Sequence, residues 1–198
     1  MTPQIKICGI TRYEDAAFCA DLGADYLGFI FVPSSPRYIE PEQAAAIMER
    51  VQGPKFVGVF RDAPASDIVN VKGLHYAQLH GTETDDDVRA AGLPAIKALR
   101  VGEVLPDTTA HPSAAWLMFD TYGVTGGGTG RIFDWSLLAL YPRTKPFFLA
   151  GGLTPDNVGA AISTVRPDAV DVSSGVESAP GVKDHAKIKT FFERVRRP

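Results

Sequence analysis

The chain has too few cysteines for a disulfide framework: two, Cys8 and Cys19, in 198 residues. Histidine is almost as scarce. There are four, none paired at metal-ligand spacing, and no C-x-x-C occurs, so no metal site is expected. No apolar stretch approaches the roughly 20 residues that a bilayer span needs. The first residues lack the basic-then-apolar pattern of a secretory signal. Charge of one sign is also missing. The formal net charge is −3, which gives no general attraction to nucleic acid or to an anionic membrane. A reducing cytoplasm is the expected location. No G-x-G-x-x-G opens the first helix and no G-K-[ST] follows a glycine run, so neither a dinucleotide fingerprint nor a Walker motif is present.

What the chain does have is regular alternation. Apolar runs of strand length occur at 4–8, 26–32, 55–60, 75–80, 95–101, 115–120, 146–151 and 169–174. Several are apolar at nearly every position, as parallel strands buried on both faces are. Helical patterns lie between most of them. Thr11 and Glu14 have the spacing of a capping box that would open the first helix, and Gly23 is placed to stop it. Asp134 is placed to cap a helix, and Thr154 to cap another with proline next to it. The stretch 102–114 carries two prolines and no apolar period, and it predicts an irregular loop where a helix would otherwise stand. Eight strands and about seven helices predict a compact α/β fold, a single-domain (β/α)8 TIM barrel over residues 1–198. An open doubly wound sheet is the alternative.

Polar residues gather where the strands end, which in such a barrel is the catalytic face. In order, the ends carry Cys8 and Gly9; Arg37; Arg61 and Asp62; Gln78, His80 and Gly81; Arg100; Asp120; Gly151 and Gly152; and Asp171, Ser173, Ser174 and Gly175. The glycines and serines of the last two strand ends suit a phosphate, since bare backbone amides can approach an anion closely. Tight turns alone would also use glycines. Arg37 sits in "SSPRYI", a rigid turn, and an arginine fork there suits a carboxylate. It could equally be a surface arginine. Residues 126–130, "GGGTG", directly follow Asp120 and read as a loop folding over substrate. Cys8 and Asp120, from the first and sixth strands, can face each other across the mouth as base and acid. Cysteine's reference pKa of about 8.5 needs a modest downward shift for that role. Packing of a small hydrophobe remains the plain reading of Cys8, and Cys19, mid-helix, reads as core.

Beyond these local readings, seven ordered segments resemble the phosphoribosylanthranilate isomerase family. They are "KICGIT" (6–11), "GFIF…SPRYI" (28–39), "QLHG.E" (78–83), "FDT" (119–121), "GGTG..FDW" (127–135), "LAGGL.P.NV" (149–158) and "VDVSSGVES.PG.KD" (170–184). The resemblance implies a cofactor-free Amadori rearrangement in tryptophan biosynthesis, with a small phosphorylated substrate and a monomer or homodimer. It implies Cys8 as general base, Asp120 as general acid and Arg37 as the holder of the anthranilate carboxylate. Gln78, His80, Gly151, Gly152, Asp171, Ser173, Ser174 and Gly175 fall at the substrate. Two other readings remain open at this level: an isomerase of another aminoaldose phosphate, such as the Amadori substrate of histidine synthesis, and a non-catalytic phosphate-binding barrel.

Overall fold

The structure, a computed structural model, describes residues 2–121 and 133–197. The substrate-covering loop expected at 126–130 lies outside the described residues. Eight strands close into one parallel barrel in sequence order. They are β1 (Gln4–Cys8), β2 (Tyr26–Ile30), β3 (Lys55–Phe60), β4 (Tyr76–Leu79), β5 (Ala95–Val101), β6 (Trp116–Thr121), β7 (Phe147–Leu149) and β8 (Ala169–Val172). The barrel closes between β1 and β8, where Lys6 registers with Asp171. Outside it run α1 (Tyr13–Asp21), α2 (Pro41–Met48), α3 (Ala65–Asn70), α4 (Asp85–Ala90), α5 (Val158–Val165) and α6 (His185–Arg196). The connection from β5 to β6 holds no helix, as its prolines predict, and a 3₁₀ segment, Trp135–Leu140, stands between β6 and β7. Asp134 caps that segment by accepting from the Ser136 amide, so the expected cap forms on a tighter helix than expected.

Strand alternation divides the apolar residues into two cores. Ile5, Ile7, Leu27 and Phe29 face outward and pack with the helices. The opposite parity faces the barrel axis. At its floor Tyr26, Tyr76, Trp116 and Phe148 meet edge-on or tilted, and the Tyr26 hydroxyl donates to Gln4 Oε1 at 2.9 Å. This plug fills the N-terminal end, and the interior opens at the strand C-termini.

Helix ends show where local signals compete with tertiary contacts. Gly23, with φ of 81°, ends α1 in a Schellman arrangement: its amide donates to Ala20 and that of Ala24 to Cys19. The capping box expected at Thr11 and Glu14 does not form. Arg12 is the N-cap, without a side-chain cap, and the Thr11 hydroxyl instead donates to the Gly181 carbonyl at 2.5 Å. A capping box forms at α4, between Thr84 and Asp87. Thr154 likewise does not cap α5. It belongs to a preceding turn, in which Asn157 Oδ1 accepts from the Thr154 amide, and Asn157 becomes the N-cap. The sequence reading also missed a small hairpin after β8, β9 (Glu177–Ala179) with β10 (Val182–Lys183). Gly181, at its turn, is the acceptor that claims Thr11.

Candidate active site

A cavity of about 340 Å³ opens at the C-terminal mouth, and its lining gathers the predicted residues into one place. Cys8, Arg37, Gln78, His80, Asp120, Gly151, Gly152, Asp171, Ser173 and Ser174 all line it. Gly175 lies one residue beyond, in the 3₁₀ turn Ser174–Val176. They reach the mouth because each strand's inward-facing parity ends there.

One wall is a hydrogen-bonded chain. The buried Gln78 carboxamide nitrogen lies 2.9 Å from His80 Nδ1, and His80 Nε2 lies 3.0 Å from Asp120 Oδ2. With the carboxamide nitrogen donating to Nδ1, the tautomer that completes the chain carries its proton at Nε2, facing Asp120. Asp120 Oδ1 accepts from the Thr121 amide at 2.7 Å. A carboxyl that has just given up a proton would therefore find two N–H donors in place. Beneath this wall, Lys97 Nζ donates to Glu83 Oε2 at 2.8 Å and to the carbonyl of Gly81 at 3.0 Å, while Glu83 accepts from the amides of Asp62 and Gly81. This buried pair pins the loop that follows β4 and with it His80.

The opposite wall is an ion chain. Glu177 receives Arg37 through Nε and Nη2, the latter at 2.7 Å, and also accepts from Lys183 Nζ at 2.9 Å. Those two cations hold the Glu177 carboxyl below the usual range although burial pushes it the other way. Lys183 Nζ continues to the backbone carbonyl of Cys8, 2.5 Å away, so a single buried chain ties the arginine to the end of β1. Glu177 and Lys183 were not singled out in the sequence. Both lie on the hairpin that was missed.

Cys8 itself departs from expectation. Burial pushes its thiol up rather than down, with Lys6 and Lys183 pulling the other way. Cys19 is core, as expected, with its thiol pushed up to about 12 by burial.

At the third side, no backbone hydrogen bond among the described residues uses the amides of Gly152, Ser174 or Gly175. The two loops interlock, because a Cβ on Gly175 would collide with the Leu153 carbonyl oxygen. The Ser173 hydroxyl is buried and has no partner among the described residues. This is an arrangement of free donors, able to take an anion.

A closed barrel with its polar groups collected at one mouth has the layout of a (β/α)8-barrel enzyme. Comparison with known proteins narrows that class. The family model for N-(5'phosphoribosyl)anthranilate (PRA) isomerase matches residues 5–194. An N-(5'-phosphoribosyl)anthranilate isomerase of Pseudomonas fluorescens (strain Pf0-1) is 46% identical over 202 residues, covering 96% of this chain and 97% of the relative. The crystal structure of phosphoribosyl anthranilate isomerase from Thermus thermophilus superposes with a TM-score of 0.89 at 38% identity, covering 98% of both chains. A phosphoribosyl anthranilate isomerase in complex with reduced 1-(o-carboxyphenylamino)-1-deoxyribulose 5-phosphate superposes at 0.84, with 39% identity and 98% of both chains covered. The chain belongs to the N-(5'-phosphoribosyl)anthranilate isomerase family.

Proposed function

We propose that the cavity carries out the isomerisation of N-(5'-phosphoribosyl)anthranilate to 1-(2-carboxyphenylamino)-1-deoxyribulose 5-phosphate, a step of tryptophan biosynthesis, with Asp120 as acid and Cys8 as base. The observation that carries this reading is that Cys8, Asp120, Arg37 and the two glycine loops line a single cavity. A substrate with a phosphate at one end and a carboxylate at the other needs this set of partners.

Asp120 gives a proton to the ribose ring oxygen, and the bond from that oxygen to C1′ breaks. The nitrogen lone pair completes an iminium, which acidifies the proton on C2′. Cys8 takes that proton, and the electrons of the C–H bond form an enolamine. Return of a proton to C1′ and loss of the one on the C2′ hydroxyl give the ketone. Electrons stay within the substrate, so the sequence is redox-neutral. Gripping both ends of a flexible molecule holds C2′ near the sulfur and lowers the entropic cost.

Arg37 presents the anthranilate-holding fork with two of its nitrogens already committed to Glu177. Arg37→Ala should weaken binding of a carboxylate-bearing product analogue by about tenfold or more, since a hydrogen bond to a charged group contributes roughly 1.5–3 kcal/mol. The analogue without the carboxylate should bind wild type poorly and be indifferent to the change. Equal losses for both ligands, measured by fluorescence titration, would remove Arg37 from the substrate.

Inorganic phosphate should compete with substrate by occupying the amides of 151–152 and 173–175. Gly175→Val would force the two loops apart and should abolish that competition. An inhibition constant for phosphate unchanged in the variant would place the anion elsewhere.

A further inference from the structure

Lys6 is a fully buried lysine in the interior of the barrel, and the steps above do not use it. Its Nζ donates to Asp171 Oδ1 at 2.8 Å, across the β1–β8 seam. A buried ion pair is a weak source of stability. Each ion loses its hydration, and well-packed apolar residues often serve as well. Neighbouring interior positions are filled that way, by Val57, Ile96 and Met118. The pair therefore calls for a second explanation.

Its position supplies one. Lys6 and Cys8 are two apart on β1 and point to the same side of the sheet. Opposite Cys8, β2 carries Gly28. A Cβ there would lie 2.8 Å from the Cys8 sulfur and 3.2 Å from Lys6 Nζ. Ammonium and thiol thus share the space that a side chain on β2 would otherwise occupy. The Lys6 charge pulls the Cys8 thiol down against burial, which pushes it up. The remaining charges around Cys8 are differently engaged. Lys183 contacts its carbonyl and is neutralised by Glu177, which also holds Arg37. Arg61, His80 and Asp120 stand on other walls of the cavity.

We propose that Lys6 and Asp171 are positioning residues that set the ionisation of Cys8, the lysine holding the thiolate and the aspartate opposing it. While Cys8 is a thiol, the lysine and aspartate balance each other and the barrel interior is neutral. When Cys8 loses its proton, the same ammonium faces two anions, so the thiolate forms without being left alone in a buried site. The proposal rests on Cys8 acting as base only for its meaning in turnover. The ionisation itself can be read without substrate.

The test is the pH dependence of Cys8 alkylation by iodoacetamide in the intact chain, followed by mass spectrometry. Cys8 lines the cavity, whereas Cys19 is fully buried, so the two thiols are distinguished by peptide. Lys6→Met should move the alkylation midpoint to higher pH, slowing modification below the midpoint by about tenfold or more. Asp171→Asn should move it to lower pH. Opposite shifts cannot come from a general loosening of the barrel. The double variant Lys6→Met with Asp171→Asn leaves no unpaired buried charge and keeps the test open if Lys6→Met alone fails to fold. Its midpoint should also lie above that of wild type. Midpoints unchanged, or displaced in the same direction by Lys6→Met and Asp171→Asn, would overturn the proposal. Opposite shifts together with full turnover by Cys8→Ser would uphold it and refute Cys8 as the base instead.

Discussion

Asp120→Asn should fold normally and lose about 10²–10⁴-fold in kcat, the usual contribution of a general acid, with substrate affinity little changed. The structure explains why the variant can be accommodated. An asparagine oxygen can keep the Thr121 amide contact, but its NH2 then faces His80 Nε2, where a proton already points. His80 resolves this by moving its proton to Nδ1. Gln78 then turns its carboxamide so that Oε1, which has no partner among the described residues, accepts that proton. The chain stays hydrogen-bonded from end to end, and only the deliverable proton is gone. Turnover needs the Cys8 thiolate and the acid's proton in the same molecule, so the apparent values of the wild-type kcat/KM profile should belong to the pair. In Asp120→Asn whatever activity remains should follow Cys8 alone and keep rising with pH as the thiolate forms. Near-wild-type turnover on ring-closed substrate would take Asp120 out of the mechanism.

Cys8→Ser should have an effect of the same size. Serine has nearly the volume of cysteine, so the packing against Gly28 and the contact with Lys6 survive. Its hydroxyl, however, is far too weak an acid to supply an anionic base at neutral pH. We expect an unchanged melting temperature and a kcat lower by about 10²–10⁴-fold. More than about a tenth of wild-type turnover would show that another group takes the C2′ proton. Because burial pushes the Cys8 thiol up, its alkylation rate in wild type should still be climbing with pH at neutrality, whereas a preformed thiolate would react at a constant rate.

The barrel was legible because its strands are short, apolar on both faces and evenly spaced, a pattern that few other folds share. The cavity lining was legible because strand ends are where a barrel keeps its polar groups. What the sequence concealed has two causes. One is parity. Lys6 alternates with Ile5 and Ile7, the mark of a strand with one wet face, yet in a closed barrel that face is the interior and the lysine is buried. The available signal was that Lys6 shares the parity of Cys8. The other is sequence distance. Arg37 and Glu177 are 140 residues apart, and Thr11 and Gly181 are 170 apart, so no local pattern announces either contact. The Thr11–Glu14 spacing misled: the helix starts one residue later, with Arg12 as N-cap, and the threonine bonds to a hairpin the sequence did not reveal.

The most direct measurement is turnover by the purified chain. N-(5'-phosphoribosyl)anthranilate, generated in place, should lose its anthranilate-ring fluorescence at a rate proportional to protein, without added metal or cofactor, and yield the ketose product. The Amadori substrate of histidine synthesis, offered in parallel, should turn over far more slowly. Fluorescence that stays constant with folded protein, or a preference for that second substrate, would contradict the account.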